Sequence, residues 1–428
     1  MKHPLWSRNA VIYELNIRQI TAEGTFRAAM AQLPRLKQLG VDVLWLMPIY
    51  PVGEEARKGS LGSYYSVRDY CDVNPEFGTM EEFDALVAEA HRLGLKVLLD
   101  WVANHTSRDA KWLTEAPADW YERDESGEAK VPWDWSDTAQ LNYANRAVWQ
   151  GQIDAMSFWL REHDVDGFRC DMAMLVPIEF WQVVRFALQQ VKSDVFLLAE
   201  AEEDNIFSNA FDACYGWRIH HAMCDIAQSK TRVWTLRDLI YSDARRFPAW
   251  AIRMLFTSNH DENSWSGSEF ARFGEAYKAM AAMTFVLPDG LPLIYTGQEF
   301  GYDHSFSFFD KDSMPEMEEN EYTEFYRRLC AIRHEHSALW SGCEGSSFVE
   351  INNNAPDCLL TFVRESAESR IMVIANLSPY KVFTDFQTGI YAGEYYDEMT
   401  CQPTTLHSHC WGDIAPWGFR IMSLKKGC

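Results

Sequence analysis

What this chain has little of narrows its function first. No apolar run approaches the ~20 residues of a membrane-spanning helix. The N-terminus, Met1-Lys2-His3-Pro4-Leu5-Trp6, lacks the long apolar core of a signal peptide. The 10 cysteines are scattered, with no Cys-x-x-Cys pair and no regular framework. Cys71, Cys170, Cys214 and Cys224 fall inside patterned segments, where free cysteine is a small buried hydrophobe. Together these features read as reduced thiols in a cytoplasmic protein; a trimmed exported form would share them. Basic residues are also scarce, 39 Lys and Arg against 62 Asp and Glu, and the net charge of −23 argues against nucleic acid or an anionic membrane as partner. No internal repeat or low-complexity tract is present, and no glycine-rich phosphate loop follows the first strand-like run, which weakens a doubly wound dinucleotide fold.

What is present is a long chain rich in aromatics. Its 428 residues exceed one compact core, so one large domain and a smaller one are expected. Strand-like and helix-like runs alternate through most of it. Strands are expected at 10–17, 41–46, 95–100, 165–171, 195–200, 211–217, 250–259 and 291–296. Helical spacing fills 26–39, 79–93, 146–163, 180–191, 272–286 and 321–334, with Thr79 and Glu82 placed as a capping box. That alternation argues for a (β/α)₈ barrel over 1–342. The stretch 101–145 has little periodicity and reads as a short inserted loop domain after the third strand. From 343 to 428 the pattern turns to strands at 358–364, 370–377, 380–386, 390–400 and 418–424, which predicts a C-terminal all-β domain of sandwich type.

Ionisable groups gather where the barrel strands end. Strand three runs Leu99-Asp100, then Trp101-Val102-Ala103-Asn104-His105; strand four ends Arg169-Cys170-Asp171; strand five ends Ala199-Glu200; strand seven ends Asn259-His260-Asp261. In a barrel these ends meet on one rim, where active sites are built. Arg169 and Asp171 are two apart on a strand, so they share a face, and the guanidinium should hold the carboxylate ionised. Each end alone reads equally well as a solvated strand terminus; it is their convergence that points to chemistry.

Taken in order, these motifs resemble the α-amylase superfamily of retaining glycoside hydrolases. The match includes Asp100 to His105, Gly167 to Asp171, Glu200 and Asn259-His260-Asp261. It extends to Tyr65-Ser66-Val67-Arg68-Asp69-Tyr70 after strand two, Val73-Asn74-Pro75, Gly78-Thr79 and Gly297-Gln298-Glu299. The resemblance implies Asp171 as nucleophile, Glu200 as general acid/base and Asp261 as stabiliser of the transition state. It implies substrate contacts from Tyr65, Asp100, His105, Arg169 and His260, with Tyr65 stacking on a glucosyl ring. The implied partner is an α-glucan or maltooligosaccharide. No cofactor is needed for such chemistry. Where many members carry Lys-His, this chain has Met174 and Leu175, which puts a leaving-group contact and a structural calcium in question. Asn104 and Asp137 offer hard oxygen for such an ion, or polar contacts tying the long loop to the barrel. The implied activity is hydrolysis of α-1,4-glucans. The alternatives are an α-glucosidase, cyclomaltodextrinase or transglycosylase acting on oligosaccharides, a non-catalytic binding barrel, or a metal-dependent hydrolase using His105 and His260.

Overall fold

A computed structural model describes residues 3–425. Eight parallel strands close into a barrel: β1 (Ile12–Leu15), β2 (Val43–Leu46), β3 (Lys96–Val102), β4 (Gly167–Asp171), β5 (Phe196–Ala199), β6 (Ala213–Tyr215), β7 (Ile252–Leu255) and β8 (Gly290–Tyr295). Neighbours in sequence are neighbours in the barrel, and β8 returns to pair with β1.

The period-two alternation of a strand explains both the core and the site. One set of side chains, including Ile12, Val43, Trp45, Leu98, Phe196, Leu198, Ile252, Met254 and Leu291, fills the interior. The alternate set, including Tyr13, Leu44, Leu99, Phe168, Leu197 and Ile294, packs outward under the helices. Two residues beyond the apolar interior layer, the inward positions become ionisable. Ile12 is followed by Glu14, Leu98 by Asp100, and Leu198 by Glu200; on β4 the same layers hold Arg169 and Asp171. The rim is therefore a polar layer stacked on a dry one.

Several helices are shorter than their periodicity suggests. The run 26–39 is two helices, Phe26–Met30 and Leu33–Leu39, because Pro34 lacks the amide hydrogen a continuous helix would need there. The run 272–286 starts only at Tyr277, since Gly274 sits at φ 52° after the short helix Glu269–Phe273. The Thr79–Glu82 capping box forms as read.

The segment between β3 and β4 is small but built. Strands His105–Ser107 and Thr138–Gln140 pair antiparallel, and Tyr121, Ala139, Leu141 and Val148 make a core of their own. The C-terminal part is all β. A sheet of six strands runs Ser347–Glu350, Leu359–Glu365, Ser369–Asn376, Phe419–Lys425, Gly393–Asp397, Gln402–Leu406 in spatial order, beside a ribbon of Val382–Gln387 and His409–Ile414. One face of the large sheet packs Val363, Met372 and Met422 against Phe386 of the ribbon. The other face gives Leu360, Phe362 and Ile371 to the core of the barrel. Among the described residues no helix is long and apolar enough to cross a membrane.

Candidate active site

Arg169 stands at the centre of the rim. Its guanidinium is fully buried and touches three carboxylates. Nη1 donates to Asp100 Oδ1 at 2.7 Å and to Asp171 Oδ1 at 3.1 Å. Nη2 lies 2.8 Å from Glu200 Oε2 as an ion pair. Nε donates to Tyr215 Oη at 3.1 Å. The register of β3, β4 and β5 makes this possible, because Asp100 pairs with Arg169 and Glu200 N–H donates to Cys170 O at 3.0 Å.

Asp100 is fully enclosed. Its second oxygen accepts from Trp45 Nε1 at 3.1 Å and Tyr65 Oη at 3.0 Å. Asp100 and Arg169 therefore lie beneath the cavity and do not line it. In this arrangement their contacts are to the groups around the cavity, which holds those groups in position. Every polar atom of Asp100 is committed to the groups above it, and Arg169 faces its own carboxylates.

The cavity itself has a volume of about 300 Å³ and is lined by Tyr65, His105, Asp171, Glu200, His260 and Asp261, all anticipated from the sequence. Asp171 and Glu200 are 6% exposed, enough to reach a ligand. Asp261 is the most open of the acids, with its side chain 38% exposed and Oδ2 3.4 Å from His260 Nε2. Tyr65 is stacked between neighbours, 5.4 Å from the His260 ring and 6.2 Å from that of Phe308. His105 is buried beside Trp135, with ring centroids 5.2 Å apart, and Asn104 Nδ2 approaches its Nδ1 at 3.2 Å.

Burial sets the protonation of this cluster. It pushes the Asp171 carboxyl well above the ordinary carboxylate range; Arg169 opposes this, and Glu200, Asp100 and Asp261 reinforce it. Arg169 alone therefore does not dictate an ionised Asp171, as the sequence suggested, because its charge is shared among three acids. Burial raises Glu200 too, against Arg169, with Asp261 adding to the rise. Acids outnumber bases here, so both Asp171 and Glu200 favour the protonated form more than a free carboxyl does. Burial drives His105 down to about 4, so it is a neutral imidazole. Burial acts the same way on His260, but Asp261 and Glu14 outweigh it and lift His260 to about 9.

Met172, directly after Asp171, takes the left-handed conformation at φ 42°, ψ 44°. There its amide donates to Glu200 Oε2 at 2.8 Å. The backbone thus spends strain to seat the acid. Other lining groups escaped the sequence reading: Lys58, Trp135, Trp265, Phe308 and Phe309. The Phe308-Phe309 doublet in a polar loop was the available signal. Glu14 also escaped it, although a charge in the middle of Val-Ile-Tyr-Glu-Leu marks an inward strand position.

Asn104 and Asp137, the candidate oxygen ligands of a calcium ion, both make contacts within the protein. Asn104 Oδ1 accepts from Gln140 Nε2 at 3.0 Å, and Asp137 Oδ1 lies 3.2 Å from the Lys58 ammonium. Among the described residues no group of three or more His, Cys, Asp or Glu is placed to hold a metal ion.

The chain matches the family described as alpha amylase, catalytic domain, over residues 14–140 and 119–369, and the alpha amylase C-terminal all-beta domain over 350–415. It is 27% identical to the alpha-amylase MalA of Haloarcula japonica over 410 residues, covering 92% of this chain and 59% of that relative. It therefore spans well under two thirds of that protein's length. Among solved structures it is similar to a noncanonic maltogenic alpha-amylase, AmyB, of Thermotoga neapolitana, with a TM-score of 0.89, 28% identity and coverage of 99% of this chain and 100% of that one. It is also similar to an alpha-amylase of Lactobacillus plantarum, with a TM-score of 0.87, 31% identity and coverage of 98% and 99%.

Proposed function

Because the chain belongs to the alpha-amylase family, we propose that it is a retaining glycoside hydrolase cleaving α-1,4-glucosidic bonds of starch-type glucans. The observation that carries this reading is the seating of Asp171 and Glu200 on one guanidinium, with Asp261 on the same cavity wall. Retention needs two carboxyls only about 5–5.5 Å apart across the bond, and two acids on one Arg are held close.

In this mechanism the working form has Asp171 ionised and Glu200 protonated. The Asp171 carboxylate attacks the anomeric carbon while the bond to the leaving oxygen breaks and takes the Glu200 proton. A glycosyl ester on Asp171 results. Glu200, now a carboxylate, then removes a proton from water as that water attacks the same carbon, releasing the sugar and regenerating both groups. Two inversions leave the configuration unchanged. Neutral His105 offers a hydrogen bond to a sugar hydroxyl, His260, held as a cation, fixes Tyr65 and adds positive charge beside Asp261, and the open Asp261 faces the charge that develops on the ring.

A slow glycosyl fluoride tests this. Peptide mapping should find the sugar on Asp171; label elsewhere, or none under turnover, would contradict it. The small cavity favours a second reading within the same chemistry, an oligosaccharide-directed α-glucosidase, cyclomaltodextrinase or transglycosylase. Product profiles on starch, maltotriose, pullulan and cyclodextrin separate these.

A further inference from the structure

In the loops after β2 and β3, the cavity wall contains an ion pair with an unmet bonding capacity. Asp137 is 2% exposed. Its Oδ1 faces Lys58 Nζ at 3.2 Å, but its Oδ2 is buried with no hydrogen-bond partner. Both residues line the cavity. A buried carboxylate oxygen without a donor is costly, and in a residue that lines the cavity a donor on a bound molecule is the partner that would relieve it.

The pair is firmly placed. Ser66 Oγ donates to the Asp137 carbonyl at 2.9 Å, and Asp137 immediately precedes the strand Thr138–Gln140. Lys58 lies 5.9 Å from the Phe309 ring centroid. The turn after it is pressed onto the 309–310 loop: a Cβ at Gly59, φ 63°, would meet Phe309 Cβ at 2.5 Å, and Leu61 N–H donates to Phe309 O at 3.0 Å.

The chemistry of the missing partner follows. A second cation is opposed by the ammonium already present. An anion is opposed by Asp137 and by Asp134 on the same wall. A neutral polyol satisfies both members at once, since one hydroxyl donates to Oδ2 and its neighbour accepts from Nζ. Trp135 alongside offers an apolar face for the ring. The leaving group must lie towards Glu200 on β5, whereas Lys58 and Asp137 sit in the loops after β2 and β3. Resting on the hydrolase reading above, we propose that Lys58 and Asp137 form a clamp for two adjacent hydroxyls of the glycone, and so select the sugar on the non-leaving side.

The test is calorimetric binding of maltotriose to E200Q and to the double variants E200Q/D137N and E200Q/K58M, with folding checked by circular dichroism. Each added change should weaken binding on the order of tenfold. One monodeoxy maltotriose should bind E200Q as weakly as maltotriose binds E200Q/D137N, and should lose nothing more when D137N is added. Unchanged affinity in whichever variant folds would overturn the clamp. So would recovery of affinity on adding calcium, which would make Asp137 a metal ligand. A wild type that binds maltotriose without cleaving it would refute the hydrolase reading instead, while the same binding series still decides the clamp.

Discussion

Glu14 Oε1 and His260 Nδ1 lie 2.5 Å apart, joining the first barrel strand to the start of the helix His260–Ser266 after the seventh. The contact makes His260 a donor on both sides. Nδ1–H points to Glu14, and Nε2–H to Tyr65 Oη at 2.7 Å, which in turn donates to Asp100. Charge at the rim is thus transmitted through a chain that ends on Arg169.

Removing the Glu14 charge should release His260. In E14Q the imidazole should titrate clearly below its value of about 9, because burial, which lowers it, is then opposed chiefly by Asp261. Nuclear magnetic resonance of the His260 ring reads this directly, and kcat/KM above pH 8 should fall on the order of tenfold. The sign for stability follows from the raised value. The pairing stabilises fully below about pH 6.5 and is lost as pH rises through about 9.

Arg169 should tolerate no neutral replacement. R169M leaves Asp100, Asp171 and Glu200 buried without a counter-charge, and should cost on the order of 3–5 kcal/mol in urea denaturation. R169K keeps the charge but cannot span three acids. It should fold and lose kcat on the order of a hundredfold.

Met172 stores strain that glycine would relieve. M172G keeps the amide that seats Glu200, so thermal stability should rise by an amount on the order of 1 kcal/mol with kcat nearly unchanged. A large loss of kcat in M172G would show that the side chain, which lines the cavity, matters more than the backbone.

Away from the rim, Glu269 is 1% exposed, with Oε1 unpartnered, and burial lifts it to about 7. The folded state thus holds a proton that the unfolded state gives up near pH 4.5, so stability is lost as pH rises from about 4.5 to about 7. E269Q should stabilise the protein by an amount on the order of 2 kcal/mol at pH 8 and by much less at pH 5. Melting curves at the two values check it.

The legible parts of this molecule were those with local cause. Strands buried on both faces read as apolar runs, and ionisable residues at their ends marked the rim, so Asp171, Glu200, His260 and Asp261 were found without coordinates. Side-chain commitment was not legible. Asp100 sits in the same kind of motif as Asp171, yet pairing across β3 and β4 turns it under the cavity, and that depends on register rather than on sequence. Lys58 and Asp137 meet through two loops 79 residues apart (137 − 58), which no periodicity reports. In the C-terminal part, Gln402–Leu406 and His409–Ile414 escaped notice. The first contains Pro403 and occupies a sheet edge, and the second alternates exposed and half-buried positions, so neither shows the apolar pattern of a central strand.

The central claim is that Asp171, Glu200 and Asp261 act together on one sugar. It is tested most directly by the rate and stereochemistry of maltotriose hydrolysis in the wild type, D171N, E200Q and D261N, with the released sugar's anomer followed by nuclear magnetic resonance. The wild type should release the α-anomer first, and each variant should fall by a factor on the order of 10³ or more. Release of the β-anomer, or any one variant retaining activity within about tenfold of the wild type, would contradict it.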